Sequence, residues 1–223
     1  MTRIRAVGDD EAAADPVLAA LYEGARKLVG RVPNSIRVRA HLPRVAAWNL
    51  AVITSLQRPG GGGNLEGSLK ELVVLKTSLL NKCEYCVTHN TVLAQETGLS
   101  VEQVEALQGD YLASPLLSDR EKAAIRWAEA VTLNTAARDN EAFENLQQHF
   151  TESEILEITW LSAYFNMANR MQESLRVDIE SPEQVQLIRK RASTSEAAIL
   201  DFVVSMTEAF QAETTGAPDA VSR

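Results

Sequence analysis

Residues 71 to 107 read ELVVLKTSLLNKCEYCVTHNTVLAQETGLSVEQVEAL, and this stretch carries the signals that decide the fold. Apolar residues recur at spacings of three and four, from Leu69 through Leu72, Val73, Leu79 and Leu80. The valines add some strand propensity, but the length of the run from Leu65 to Leu80 favours a helix. A second helix is predicted from near Cys83 to about Glu96, stopped by Gly98. Ser100-Val101-Glu102-Gln103 then has the Ser-x-x-Gln form of a capping box and opens a short third helix.

Working outward, the same grammar holds on both sides. Asp15 as N-cap and Pro16 at the first helical position predict a helix over 15–29, and residues 43–57 predict another. Between them and the central stretch lies Pro59 to Asn64, PGGGGN, whose consecutive glycines cannot sustain a helix and read as a mobile loop. Downstream, Ser118 or Asp119 caps a helix to Thr132, and Thr151 with Glu154 forms a capping box for a helix to about Leu175. Ser181-Pro182-Glu183-Gln184 starts a further helix, and residues 195–211 add a last one. No sustained alternating segment competes, so the chain reads as all-α: an N-terminal extension over 1–14, one helical domain over 15–212, and a disordered tail over 213–223.

The 223 residues suffice to bury a core without disulfide staples. The charged N-terminus lacks the apolar stretch of a signal peptide, and there is no run of about eighteen apolar residues to span a membrane. These features predict a soluble, cytoplasmic protein with no membrane partner. With 22 basic and 30 acidic residues, the net charge of −8 argues against a broad nucleic-acid-binding face. The local basic runs, Arg37, Arg39 and His41 and again Arg189 to Arg191, read as solvated faces.

Both cysteines of the chain, Cys83 and Cys86, sit within the central stretch, with His89 close behind. In a reducing cytosol structural disulfides are rare, so a close pair reads as catalytic, redox-sensing or metal-binding. At a helix start the two thiols approach closely enough to bridge, and the partial positive charge of the helix N-terminus favours thiolate. His89, three residues beyond Cys86, sits on a neighbouring ridge as a general base for that thiol. Glu71 is placed to orient the imidazole if its helix packs beside the Cys helix, which makes a Glu71, His89, Cys86 proton relay. A zinc site would use Cys83, Cys86 and His89 and need a fourth ligand from Glu71, His41 or His149, but no second C-x-x-C or H-x-x-H accompanies them. Elsewhere, His41 and His149 read as loop and helix-end residues. Asn169 and Arg170 read as helix-end packing with an ion pair, and Trp127, Trp160, Tyr164 and Phe165 as core or subunit interface.

Glu71, the C-x-x-C of Cys83 and Cys86 and the following histidine resemble the active-site signature of the AhpD-like, carboxymuconolactone decarboxylase superfamily. The segment from Leu161 to Arg170, LSAYFNMANR, resembles a later helix of its longer members, so the resemblance spans roughly residues 35–180. It implies an AhpD-like all-α fold assembling into homotrimers or hexamers. In redox members it implies a peroxidase cycle with no metal, flavin or haem. On this chain Cys86 would attack a hydroperoxide, Cys83 would resolve the sulfenic acid as a disulfide, and His89 with Glu71 would activate Cys86. A dithiol such as lipoamide or a thioredoxin-like protein would re-reduce the pair. In the best-known peroxidase member the relay histidine follows the second cysteine by four residues, where this chain has Asn90. The alternative within the superfamily is a lyase acting on a small carboxylated or lactone substrate, with Glu71 and His89 as acid and base.

Overall fold

A computed structural model describes residues 1–191 and 193–216, the side chains of Lys190 and Arg191 excepted. Among them there is no strand. The helices, in chain order, are α1 (Asp9–Ala14), α2 (Pro16–Val29), α3 (Asn34–Arg39), α4 (Pro43–Gln57), α5 (Gly67–Leu80), α6 (Glu84–Glu96), α7 (Val101–Ala106), α8 (Asp119–Thr132), α9 (Asn140–Gln147), α10 (Glu152–Leu175), α11 (Pro182–Gln186) and α12 (Glu196–Gly216).

The local signals act as written. Asp15 accepts from the backbone of Val17 and Leu18, and the Ser100, Ser118 and Thr151 capping boxes all close. Short α1 and α3 have no capping side chain and form against their neighbours, whereas Asp139 caps α9 by accepting from the Ala142 amide. The last helix runs to Gly216, so Glu213 to Gly216 are helical where a tail was expected, and residues 217–223 lie outside the described residues.

α5 is the axis of the molecule. Every residue from Leu69 to Ser78 is buried, so this helix has no solvent face, and α6, α8 and α10 pack around it. Its two lysines are accommodated in pairs: Lys70 with Glu157 at 2.7 Å and Lys76 with Glu129 at 3.3 Å. A second core joins the ends of the chain, with Leu21, Leu28, Ala47 and Leu50 of α2 and α4 against Phe202, Met206 and Phe210 of α12.

The glycine-rich loop is docked, which replaces the mobile loop expected. Gly60 and Gly62 adopt positive φ of 79° and 113°, and the Asn64 amide donates to Glu157 Oε2 at 2.8 Å. A Cβ on Gly63 would fall on Glu157 and Lys70, so absence of a side chain there lets the loop lie on that buried ion pair.

Candidate functional site

The turn between α5 and α6 sets the position of both sulfurs. Lys82 takes a left-handed φ of 56° and its amide donates to Leu79 O, while the Cys83 amide donates to Ser78 O at 3.0 Å. This is a Schellman motif, and its last residue is Cys83, which is also the N-cap of α6. One turn therefore ends the buried axis helix and starts the next with a cysteine in the interior. Cys83 has no exposed surface and packs with Val38, Tyr85 and Val177. The structure joins it to Cys86 as a disulfide with Cα atoms 5.3 Å apart, inside the ordinary range for such a bond. Cys86, 3% exposed, lines a cavity of about 130 Å³ between α3, α4, α6 and α10; Cys83 does not.

His89 lines the same cavity, but its carboxylate partner is not Glu71. Its Nε2 lies 2.8 Å from Glu180 Oε2, and its Nδ1 lies 2.6 Å from the Tyr85 carbonyl one turn back. Both ring nitrogens are thus engaged by oxygens, and neither is free for Cys86. Glu180 is a hub: Oε1 accepts from the Asn34 amide at 2.6 Å and the Tyr85 hydroxyl at 3.0 Å, and pairs with Arg31. Burial opposes its ionisation, but the hydrogen bond and charge of His89, with Arg31, outweigh burial and hold the carboxyl well below the usual range. Burial, reinforced by the Glu180 charge, pushes Tyr85 up to about 12.

Glu71 occupies a different position from the one the relay requires. α5 does pack on α6, but Glu71 sits behind the cavity wall, where Gln57 Nε2 donates to its Oε1 at 2.9 Å. The same Gln57 amide donates to Asn90 Oδ1 at 2.7 Å, and Asn90 Nδ2 donates to the Cys86 carbonyl at 2.7 Å. A chain of hydrogen bonds thus runs from Glu71 through Gln57 and Asn90 to the backbone of Cys86. Asn90 completes that chain with both ends of its amide. Burial pushes the Glu71 carboxyl up to about 8 against the pull of Arg58, the Gln57 hydrogen bond and Lys70, and its Oε2 is buried without a hydrogen-bond partner.

Several lining residues escaped the sequence reading: Arg31, Gln57, Arg58 and Tyr85. Arg39 was assigned with Arg37 and His41 to a solvated face, and it turns inward instead. Arg37 does pair with Asp9 at the surface, and exposed His41 contacts Arg5 O. The difference is helical phase, since α3 is six residues long and Arg39 falls on the side facing α10. Glu180 precedes the Ser181 N-cap of α11, and nothing local distinguishes it from a surface acid. Asn169 is buried and donates to Ser78 Oγ, while Arg170 folds back on Asn166; neither lines the cavity. Trp127 and Phe165 are core, whereas Trp160 is exposed. His149 lies in the turn after α9. Among the described residues no three of His, Cys, Asp and Glu are grouped to hold a metal ion, and no helix is long and apolar enough to cross a membrane.

Residues 43–130 match the carboxymuconolactone decarboxylase family model. The uncharacterized protein YnjA of Escherichia coli K12 is 27% identical over 152 residues, covering 68% of this chain and 82% of its own. Among solved structures, an AhpD-core, peroxidase-related protein of Ralstonia eutropha JMP134 superposes with a TM-score of 0.68 at 23% identity, covering 86% of this chain and 98% of that one. The debrominase Bmp8 superposes with a TM-score of 0.69 at 22% identity, covering 85% and 98%. The matched segment runs from α4 into α8 and builds the Cys pair and its surroundings, so it is in this part of the chain that the similarity to the carboxymuconolactone decarboxylase family lies.

Proposed function

We propose that the protein is a thiol oxidoreductase that reduces a hydroperoxide through Cys86 and Cys83. One observation carries the reading: of two bonded sulfurs, Cys86 borders a cavity sized for a small molecule and Cys83 lies sealed beneath it. That asymmetry suits an attacking thiol and a resolving thiol.

In the forward step the Cys86 thiolate attacks the terminal peroxide oxygen, the O–O bond breaks, and the alkoxide takes up a proton and leaves as an alcohol. The Cys83 thiol then attacks the sulfenic sulfur, water leaves, and the disulfide forms. An external dithiol, lipoamide or a thioredoxin-like protein, returns two electrons and two protons. The helix N-terminus and the positively charged cavity wall favour the Cys86 thiolate. His89, with one ring nitrogen on Glu180 and the other on the Tyr85 carbonyl, has no nitrogen free to serve Cys86 as a base, and Glu71 acts as a positioning residue through Gln57 and Asn90. The lyase reading has less support, because it asks Glu71 to meet substrate and Glu71 stands outside the cavity lining. Exposed Trp48, Val52, Leu156, Trp160 and Leu200 on α4, α10 and α12 support assembly of copies into a trimer or hexamer.

The test is peroxide consumption by the pre-reduced protein with a dithiol donor. Cys86→Ser abolishes turnover, and Cys83→Ser leaves a sulfenic acid on Cys86 that dimedone captures. Undiminished dithiol-dependent consumption by the Cys86→Ser protein overturns the proposal.

A further inference from the structure

The cavity beside Cys86 has a charge character opposite to that of the whole chain. Arg31, Arg39, Arg58 and His89 line it, and among the described residues no Asp or Glu does, in a protein of net charge −8. Two of these groups are answered from behind the wall, since Glu180 pairs with both Arg31 and His89. Arg58 is buried and has interactions of its own. Arg39 is different. Its Nη2 donates to the neutral Gln172 Oε1 at 3.1 Å, its Nε is shut off from solvent with no hydrogen-bond partner, and no carboxylate pairs with it among the described residues. A half-buried guanidinium whose Nε has neither water nor a hydrogen-bond partner, and which has no counter-charge, is destabilising, and sequences retain such arrangements where a ligand supplies the missing partner. The remaining wall is apolar, with Leu50, Ile53 and Phe165. At about 130 Å³ the space is below the ~300–1,000 Å³ of pockets for drug-sized molecules.

We propose that this cavity binds a small organic acid, its carboxylate seated on Arg39 and its short apolar chain against Leu50, Ile53 and Phe165. The carboxylate accepts two hydrogen bonds in the planar fork of the guanidinium, which a neutral isostere cannot match. Cys86 borders the same space, so the oxidant of the dithiol cycle is the hydroperoxide of such an acid. That last identification rests on the peroxidase reading, whereas the carboxylate site stands without it.

The experiment is calorimetric titration of hexanoate and of methyl hexanoate into the full-length oxidised protein, with Arg39→Gln and Arg39→Lys alongside. Wild type binds hexanoate about ten- to a hundredfold more tightly than the ester, the range expected for a charged hydrogen-bonded contact. Arg39→Gln brings the two affinities together, and Arg39→Lys restores part of the preference. Equal affinities for acid and ester in wild type overturn the proposal, and that comparison needs no variant to fold. An acid preference that persists in a folded Arg39→Gln protein overturns the assignment to Arg39. Since no turnover is measured, loss of the peroxidase reading and loss of the acid site are distinguishable.

Discussion

The His89 ring and the Glu180 carboxylate, 91 residues apart in the chain, meet at 2.8 Å and tie the start of α6 to the segment that follows α10. Arg31 and the Asn34 amide close on the same carboxylate, so three distant parts of the chain share one buried charge. Removing that charge leaves the Arg31 guanidinium buried without its counter-ion and the His89 ring without its hydrogen-bond partner. Glu180→Ala is expected to cost about 3–5 kcal/mol in urea unfolding. A cost below about 1 kcal/mol would show that the hub is dispensable.

Glu180 also predicts an acid-side pH dependence. Its folded pKa is depressed, so its contribution is fully present above the unfolded value of ~4.3 and is lost as pH falls from there toward the folded value. Stability of the wild type should therefore fall below about pH 4.3 more steeply than that of Glu180→Gln. Parallel curves in this range would refute the depressed pKa.

Glu71 predicts the opposite sign. Its folded pKa is raised to about 8, so the folded state holds a proton that the unfolded chain releases above ~4.3. The associated stability is present below ~4.3 and is lost as pH rises toward about 8. Glu71→Gln keeps an acceptor for Gln57 and cannot ionise. Its stability relative to wild type should rise steadily between pH 5 and pH 8 in chemical denaturation, as read at several buffered points.

Asn90 links Gln57 to the Cys86 backbone, so its loss should reach both stability and thiol chemistry. Asn90→Ala leaves buried donors and acceptors unpaired at a cost of about 1–3 kcal/mol. The Cys86 alkylation rate of the reduced protein should change as well, whereas a purely structural role would leave it unmoved in the folded variant.

Gly63 offers a test of the docked loop. Gly63→Ala places a methyl on the Glu157 and Lys70 pair and should destabilise by about 1–3 kcal/mol, measured by thermal or urea unfolding. A neutral outcome would mean that the loop lifts away freely.

Much of the fold was legible because its signals are local. A capping box acts within four residues, and an apolar run reports its own helix whatever it packs against. This is why Ser118, Thr151 and the run from Leu69 to Leu80 mark their helices in the sequence, whereas α3, with no capping side chain, depends on its neighbours. The Cys pair was legible for the same reason: C-x-x-C at a helix start is a short-range arrangement, and its likeness to a known signature lies in contiguous residues.

Partnership was not legible, because it is decided by which helices meet and in what phase. Spacing placed His89 near Cys86 but was silent on the ring's orientation, and it offered Glu71 as a partner only on the condition that α5 pack beside α6. Tertiary packing gave His89 to Glu180, sent Glu71 behind Gln57, and rotated Arg39 from an expected surface into the cavity. Sequence alone therefore determined an all-α chain with a dithiol at a helix N-terminus. The tertiary structure decided which sulfur meets the cavity and which charges surround it, because burial and charge pairing are set by contacts between elements far apart in the chain.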